Sequence, residues 1–153
     1  MLSKKTKYSL LALLRLARDY GQGPLLISEI AEEEGIPKKF LEAILLDFKN
    51  HGILQSKKGK NGGYLLSRDP ATIRLSEVIR IMEGPLAPMP CVSETAYAKC
   101  TECKDETICG IRLVMQDVRD AMVGVLDRIS LADLLKRTQQ MIARSQGEFI
   151  YEI

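Results

Sequence analysis

Tryptophan is absent, and aromatic residues make up only 5% of the 153-residue chain. So few large flat side chains argue against a large all-β fold, whose strands favour them. Long apolar runs are missing too: no stretch approaches the roughly 20 residues a membrane-spanning helix needs. The opening MLSKKTKYSLLALLRLARDYG has a basic start and an apolar run, but Arg15, Arg18 and Asp19 interrupt it. With no small-residue cleavage site after it, it reads as an amphipathic helix of a cytoplasmic protein, and no membrane partner is expected. Histidine occurs once, as His51, where it reads as a helix-end residue rather than a metal ligand. Cysteine is missing from the first 90 residues, and all four lie between Cys91 and Cys109. In a reducing compartment that clustering disfavours structural disulfides. It leaves zinc, an iron–sulfur cluster or free reactive thiols open. A dithiol enzyme built on Cys100 and Cys103 would want a nearby βαβ unit. None is legible, so the chain is not expected to be an enzyme.

What remains is the composition of one soluble domain, 46% hydrophobic and 27% charged. Net charge is only +2, but residues 1–70 hold 12 Lys/Arg against 8 Asp/Glu, and residues 71–153 hold 10 against 12. A basic first half suits an anionic partner.

The first third predicts three helices. Ser3 caps the first, whose Leu10, Leu11, Leu13, Leu14 and Ala17 recur at helical spacing before Gly21 and Gly23-Pro24. Ser28 is expected to cap SEIAEEE, which Gly35 stops. Pro37 then opens PKKFLEAILLDFKNH, where a missing N–H costs nothing. Leu41, Ile44, Leu45 and Phe48 form one buried stripe on it, with Lys39, Glu42, Ala43, Leu46 and Asn50 opposite. Two short helices around Gly35-Ile36-Pro37 have the outline of a helix-turn-helix. The second helix would then offer Lys38, Lys39 and Glu42 to a major groove, with Phe40 flanking. A Glu carboxylate accepts from a cytosine amino group, and Lys reaches guanine or phosphate. Two ordinary core helices with solvated Lys and Glu would share that outline.

The next stretch, ILQSKKGKNGGYLLSRDP, predicts a hairpin turning at Asn61-Gly62-Gly63, residues that tolerate positive φ. Lys57, Lys58 and Lys60 crowd its tip. Like charges repel there, so their clustering points to phosphates rather than to water alone. A hairpin directly after a recognition helix makes a winged helix. ATIRLSEVIRIMEG then reads as an extended piece and a short helix capped by Ser76 and ended by Gly84. LAPMP is a linker, and the cysteine stretch is a loop. From Thr107 a helical stripe runs through Ile111, Val114, Met115, Val118, Ala121, Met122, Val125, Leu126 and Ile129. It is more apolar surface than one small module covers, and the equivalent helix of a second subunit is the expected cover. Ser130 begins a last helix with Leu131, Leu134 and Leu135.

The runs SEIAEEEGIPKKFLEAIL, KKGKNGGYLLSRDP, RLSEVIRIMEG, CGIRLVMQDVRDAM and ISLADLL resemble the Rrf2 family of bacterial winged-helix transcriptional regulators across nearly the whole chain. The resemblance implies a mainly α fold with a small β-hairpin wing: a homodimer built on a crossed or exchanged pair of long helices, which reads double-stranded DNA with the helix at 37–50 and the wing. It implies three parts: a winged helix-turn-helix over residues 1–84, a linker and cysteine sensor loop over 85–110, and dimerisation helices over 111–145. The expected DNA-contacting set is Ser28, Lys38, Lys39, Phe40, Glu42, Lys57, Lys58, Lys60, Asn61 and Gly62. Lys39, Phe40 and Glu42 lie at the groove in this alignment, and Lys58 with Lys60-Asn61-Gly62 at the backbone or minor groove.

Cluster-binding members of that family show Cys-x5-Cys-x5-Cys plus a fourth ligand from elsewhere. Cys103 and Cys109 match the last two, but eleven residues separate Cys91 from Cys103. The histidine ligand of one branch, three residues after the last cysteine, is replaced by Arg112. The early aspartate of the nitric-oxide-sensing branch is also missing, that region reading Lys4-Lys5-Thr6-Lys7-Tyr8. Cys100 can complete an all-thiolate set with Cys91, Cys103 and Cys109. The resemblance favours an iron–sulfur cluster, [2Fe–2S] or [4Fe–4S]. Zinc, or no metal and control by a metabolic enzyme partner or small molecule, stay open.

Overall fold

The computed structural model describes residues 2–148. Six helices and one hairpin follow in chain order: α1 (Lys4–Arg18), α2 (Ile27–Glu34), α3 (Lys38–Asn50), β1 (Leu54–Lys57), β2 (Gly63–Leu66), α4 (Leu75–Glu83), α5 (Gly110–Leu126) and α6 (Leu131–Glu148). This is the mainly helical, hairpin-bearing architecture that the sequence predicts.

Helix α1 starts as expected: the Ser3 hydroxyl accepts the Thr6 N–H, filling one of the donors a helix start leaves open. Two other expected caps are displaced. The α2 cap is Leu26, not Ser28, because the Glu29 carboxylate reaches back to the Leu26 N–H at 2.9 Å. Ser28 is left exposed inside the first turn. The α4 cap is Arg74, not Ser76, and Ser76 is buried within the helix. The reason is a backbone bridge between Arg74 and Ser130 that sets where α4 begins. Gly35, at φ 63, closes α2 in the left-handed conformation.

The core gathers one face of each N-terminal helix. Leu13 of α1, Ile30 of α2, Leu41, Ile44, Leu45 and Phe48 of α3, and Val78 of α4 are fully buried. Each such side chain contributes roughly 1.5–3 kcal/mol by leaving water. Leu131 joins them with no exposure, so the last helix starts inside the N-terminal core. The Leu75 N–H donating to Ile129 and the Leu131 N–H donating to Ile73, each at 2.9 Å, pin it there.

Strands β1 and β2 pair antiparallel from Leu54 with Leu66 to Lys57 with Gly63. Leu25 and Tyr64 exchange two backbone hydrogen bonds of 2.8 Å, tying the hairpin to the segment before α2. The glycines at the turn divide the work differently from the expectation. Gly59 and Gly63 take positive φ, 105 and 143, whereas Asn61 and Gly62 do not. Gly62 is required for room: a Cβ there would stand 2.3 Å from the Lys57 carbonyl oxygen.

Helix α5 has no buried residue, and Ile111, Leu113, Val114, Val118 and Val125 are each about half exposed or more. Met141 and Ile142 are exposed on α6. Among the described residues no helix is long and apolar enough to cross a membrane.

Candidate functional site

Two surfaces carry chemistry. The first is a cleft where the starts of α2 and α3 meet the hairpin. Ser28, Lys38, Glu42, Lys57 and Gly62 line it together, from three separate elements. Lys39, Phe40, Lys58, Lys60 and Asn61 are exposed but do not line it. Phe40 stands out from α3 at 54% exposure and meets Tyr8 of α1 edge-on, with ring centroids 6.2 Å apart. A large apolar ring left in water at the start of a helix, with lysines beside it, suits contact with base edges or methyl groups. Sequence reasoning missed Leu26, Ser56 and Tyr64 in the cleft wall. Tyr64 had a signal, its place after two glycines, but Leu26 and Ser56 come in only through the pairing of Leu25 with Tyr64.

The second surface is a pocket between the cysteine loop and the start of α5. Cys91, Cys100, Cys103 and Cys109 all line it, with Met89, Glu102, Glu106, Ile111 and Arg112. All four are free thiols, Cys91 buried and the others half-buried. Cys109 is the N-cap of α5, and its Sγ accepts the Arg112 N–H at 3.4 Å. The Cys100 thiol donates to Glu102 at 3.2 Å, which pushes its pKa up. Burial first, then the neighbouring Cys109 and Cys100, push Cys103 up as well. Tyr97 donates its hydroxyl to both oxygens of Glu106, at 2.6 and 2.8 Å, closing one side of the loop. The donor set is the soft, all-sulfur type that iron–sulfur clusters and zinc take. Among the described residues, though, no three His, Cys, Asp or Glu side chains are arranged to hold a metal ion. Cys103 and Cys109 are in side-chain contact, and Cys91 and Cys100 share the pocket wall with them. His51 is the C-cap of α3, its ring Nδ1 2.8 Å from the Asp47 carbonyl, and it does not line this pocket.

A family model described as "Rrf2: Iron-dependent Transcriptional regulator" matches residues 2–137, which spans every element from α1 into α6. The chain belongs to the Rrf2 family. An rrf2-like HTH-type transcriptional regulator of Rhodobacter capsulatus is 44% identical over 139 residues, covering 88% of this chain and 92% of that one. Among solved structures, CymR (YrzC), the global cysteine regulator of B. subtilis, superposes with a TM-score of 0.74 at 29% identity, covering 90% of this chain and 97% of CymR. T. potens IscR gives the same TM-score and identity over 92% of this chain and 90% of its own. The molecule is therefore a winged-helix, DNA-binding transcriptional regulator of the Rrf2 type. The family's description is iron-dependent, while CymR among its solved structures is a cysteine regulator.

Proposed function

We propose that this Rrf2 regulator binds operator DNA as a homodimer and senses iron–sulfur, redox or nitric-oxide status through Cys91, Cys100, Cys103 and Cys109. The observation that carries the reading is that all four thiols line one pocket whose last member caps α5. The iron-dependent description of the matched family supports it. Four thiolates suit a [2Fe–2S] or [4Fe–4S] cluster, with tetrahedral zinc as the alternative. When bound, a cluster supplies a redox-active centre that oxidants and nitric oxide can attack.

The rest is done by the chain. Cys91 sits on a buried turn and Cys109 at the start of α5, so these two are fixed points. Cys100 and Cys103 ride on the loop between them and close inward when four thiolates share one centre. That closure orders the loop and sets the start of α5. The α5 stripe of Ile111, Val114, Val118 and Val125 packs on the same helix of a second copy, burying apolar surface that the single chain leaves wet. Residues 111–145 thus serve dimerisation, 85–110 sensing and 1–84 DNA reading. On the DNA side Lys38, Lys39, Phe40 and Glu42 enter the major groove. Lys57, Lys58, Lys60, Asn61, Gly62 and the Ser28 hydroxyl hold phosphates. Loop order shifts α5, and α5 sets the spacing of the two readers, a two-state element biased at one site.

Anaerobic purification, iron, sulfide and zinc analysis, and gel shifts of loaded against stripped protein test this. Equal DNA binding by both forms sinks the sensor while leaving the DNA reader standing. Unchanged cluster loading in Cys100→Ser removes Cys100 from the ligand set. A second reading draws on the likeness to CymR, a cysteine regulator. In it no metal binds, and a metabolic enzyme or small molecule sets DNA affinity. A colourless, metal-free anaerobic preparation that still binds DNA favours that reading.

A further inference from the structure

Arg112 and Arg119 lie two helical turns apart on α5, so they share one face. Both reach the same short segment. The Arg112 Nε donates to the Cys91 carbonyl at 3.2 Å, and the Arg119 Nη1 donates to the Val92 carbonyl at 2.7 Å. That segment is already closed on itself: Val92 N–H donates to Met89, and Ser93 and Ala98 N–H both donate to Pro90. Cys91, Val92 and Ser93 are buried, so the turn is a solid piece rather than a loose strand.

The arginines are not solvated decorations. The Arg119 side chain is only 12% exposed on a helix that buries no residue fully, and its other donors reach Asp120 at 2.6 Å and Glu94 at 3.7 Å. A guanidinium that far out of water needs its donors filled. Here the consecutive main-chain carbonyls of Cys91 and Val92 each take one donor, from Arg112 and Arg119 in turn. Hydrogen bonds from a charged donor are roughly twice as strong as neutral ones. Cys109 couples the other end of the loop to α5 by its cap. The two arginines therefore add a second attachment at the loop's beginning, where Cys91 is a pocket wall.

We propose that Arg112 and Arg119 are positioning residues that transmit the state of the cysteine loop to α5. The inference rests on reading that loop as the sensor. Movement of Cys91 carries its own and the neighbouring carbonyl with it, and both arginines then move or release α5. The covalent link through Cys109 alone would leave α5 free to swivel.

The test uses the full chain, the double variant R112M/R119M, which keeps length without donors, and R119K, which keeps a charged donor group in place of the planar fork. Cys100 and Cys103 are blocked with N-ethylmaleimide, after removal of reductant, in a Cys109→Ser background so that the α5 cap is not itself alkylated, and amide hydrogen exchange is read along α5. The expected result is faster exchange over residues 111–119 on blocking when both arginines are present, and a blocked-to-free ratio of about one in R112M/R119M, a loss of coupling. R119K should restore part of the response. A response that persists in R112M/R119M overturns the linkage, and so does the absence of one with both arginines present. If R112M/R119M loses helix by circular dichroism, R119K against R119M decides by the same readout. In parallel, anaerobically loaded and stripped proteins are compared on DNA. The affinity ratio should fall to about one in R112M/R119M while iron per chain is kept. A wild type that takes up no iron overturns the metal reading alone, because the exchange measurement still decides the linkage.

Discussion

Arg15 of α1 and Glu33 of α2 meet as a fork: Nε and Nη2 of the guanidinium donate to the two carboxylate oxygens, Nη2 at 3.1 Å. The same guanidinium donates to Asp19 at 2.5 Å, and Arg18 adds a bond to Glu33 at 3.0 Å. Arg15 is buried, and its bond to Glu33 chiefly holds it charged while lowering the Glu33 pKa. The fork fixes α2 against α1 and so sets how the helix-turn-helix is presented. Arg15→Met is expected to lower the melting temperature and to weaken DNA binding with no change in the residues facing DNA. Arg15→Lys should recover only part, because a point charge cannot make the two-pronged contact. Thermal melts and gel shifts on both variants check this.

Gly63 is a steric requirement. Its φ is 143, and a Cβ there would stand 2.1 Å from the Leu25 carbonyl oxygen. Gly63→Ala must break the bridge between Leu25 and Tyr64 or distort the hairpin. The expected cost exceeds about 1 kcal/mol in urea unfolding, since neither the conformation nor the space accepts a side chain.

Glu83 at the end of α4 accepts the Ser3 hydroxyl at 2.6 Å, the Thr6 hydroxyl, and the Ser3 N–H at 2.7 Å. In that order the two hydroxyls and the amide hold its pKa at about 2, against an ordinary 4.5. A depressed carboxylate stabilises the fold above its unfolded pKa and loses that contribution as pH falls through its folded one. The melting-temperature gap between wild type and Glu83→Gln should therefore be full at neutral pH and shrink as pH falls from 4.5 towards 2. A gap that does not change with pH would refute it.

The wing lysines Lys57, Lys58 and Lys60 are exposed around the hairpin tip. Among the described residues none of the three forms an ion pair, so their charge is free to meet phosphate. Replacing all three with Ala should weaken binding to every DNA sequence alike. The slope of log affinity against log salt should become shallower by about 0.9 for each phosphate that the wing no longer neutralises. Glu42→Ala should instead change which sequences bind. Salt titrations on specific and unrelated duplexes separate the two.

Val118 lies half exposed in the middle of the α5 stripe. Val118→Glu should shift the chain to monomer in sedimentation while leaving the helix content intact. A wild type that is monomeric at working concentration removes the dimer reading.

Most helices were legible in the sequence because their signals are local. Leu41, Ile44, Leu45 and Phe48 repeat at helical spacing within the thirteen residues of α3, and all four are buried as expected. The lysine-rich hairpin and the four-cysteine loop were equally plain, being runs of neighbours. The caps were less so. Ser28 and Ser76 have the right chemistry, but Glu29 reaching back to Leu26, and the bridge from Arg74 to Ser130, start those helices elsewhere.

The order of elements, the lysine-rich hairpin, the helix pair around Gly35 and the clustering of thiols are thus properties of the sequence by itself, because each rests on residues close along the chain. The tertiary structure alone decided that Leu131 enters the N-terminal core, that Leu25 pairs with Tyr64, and that Arg112 and Arg119 grip the carbonyls of Cys91 and Val92. Those contacts join distant segments largely through main-chain atoms. Backbone carbonyls and amides are the same at every residue, so nothing in the spelling of the chain announces which of them will be used.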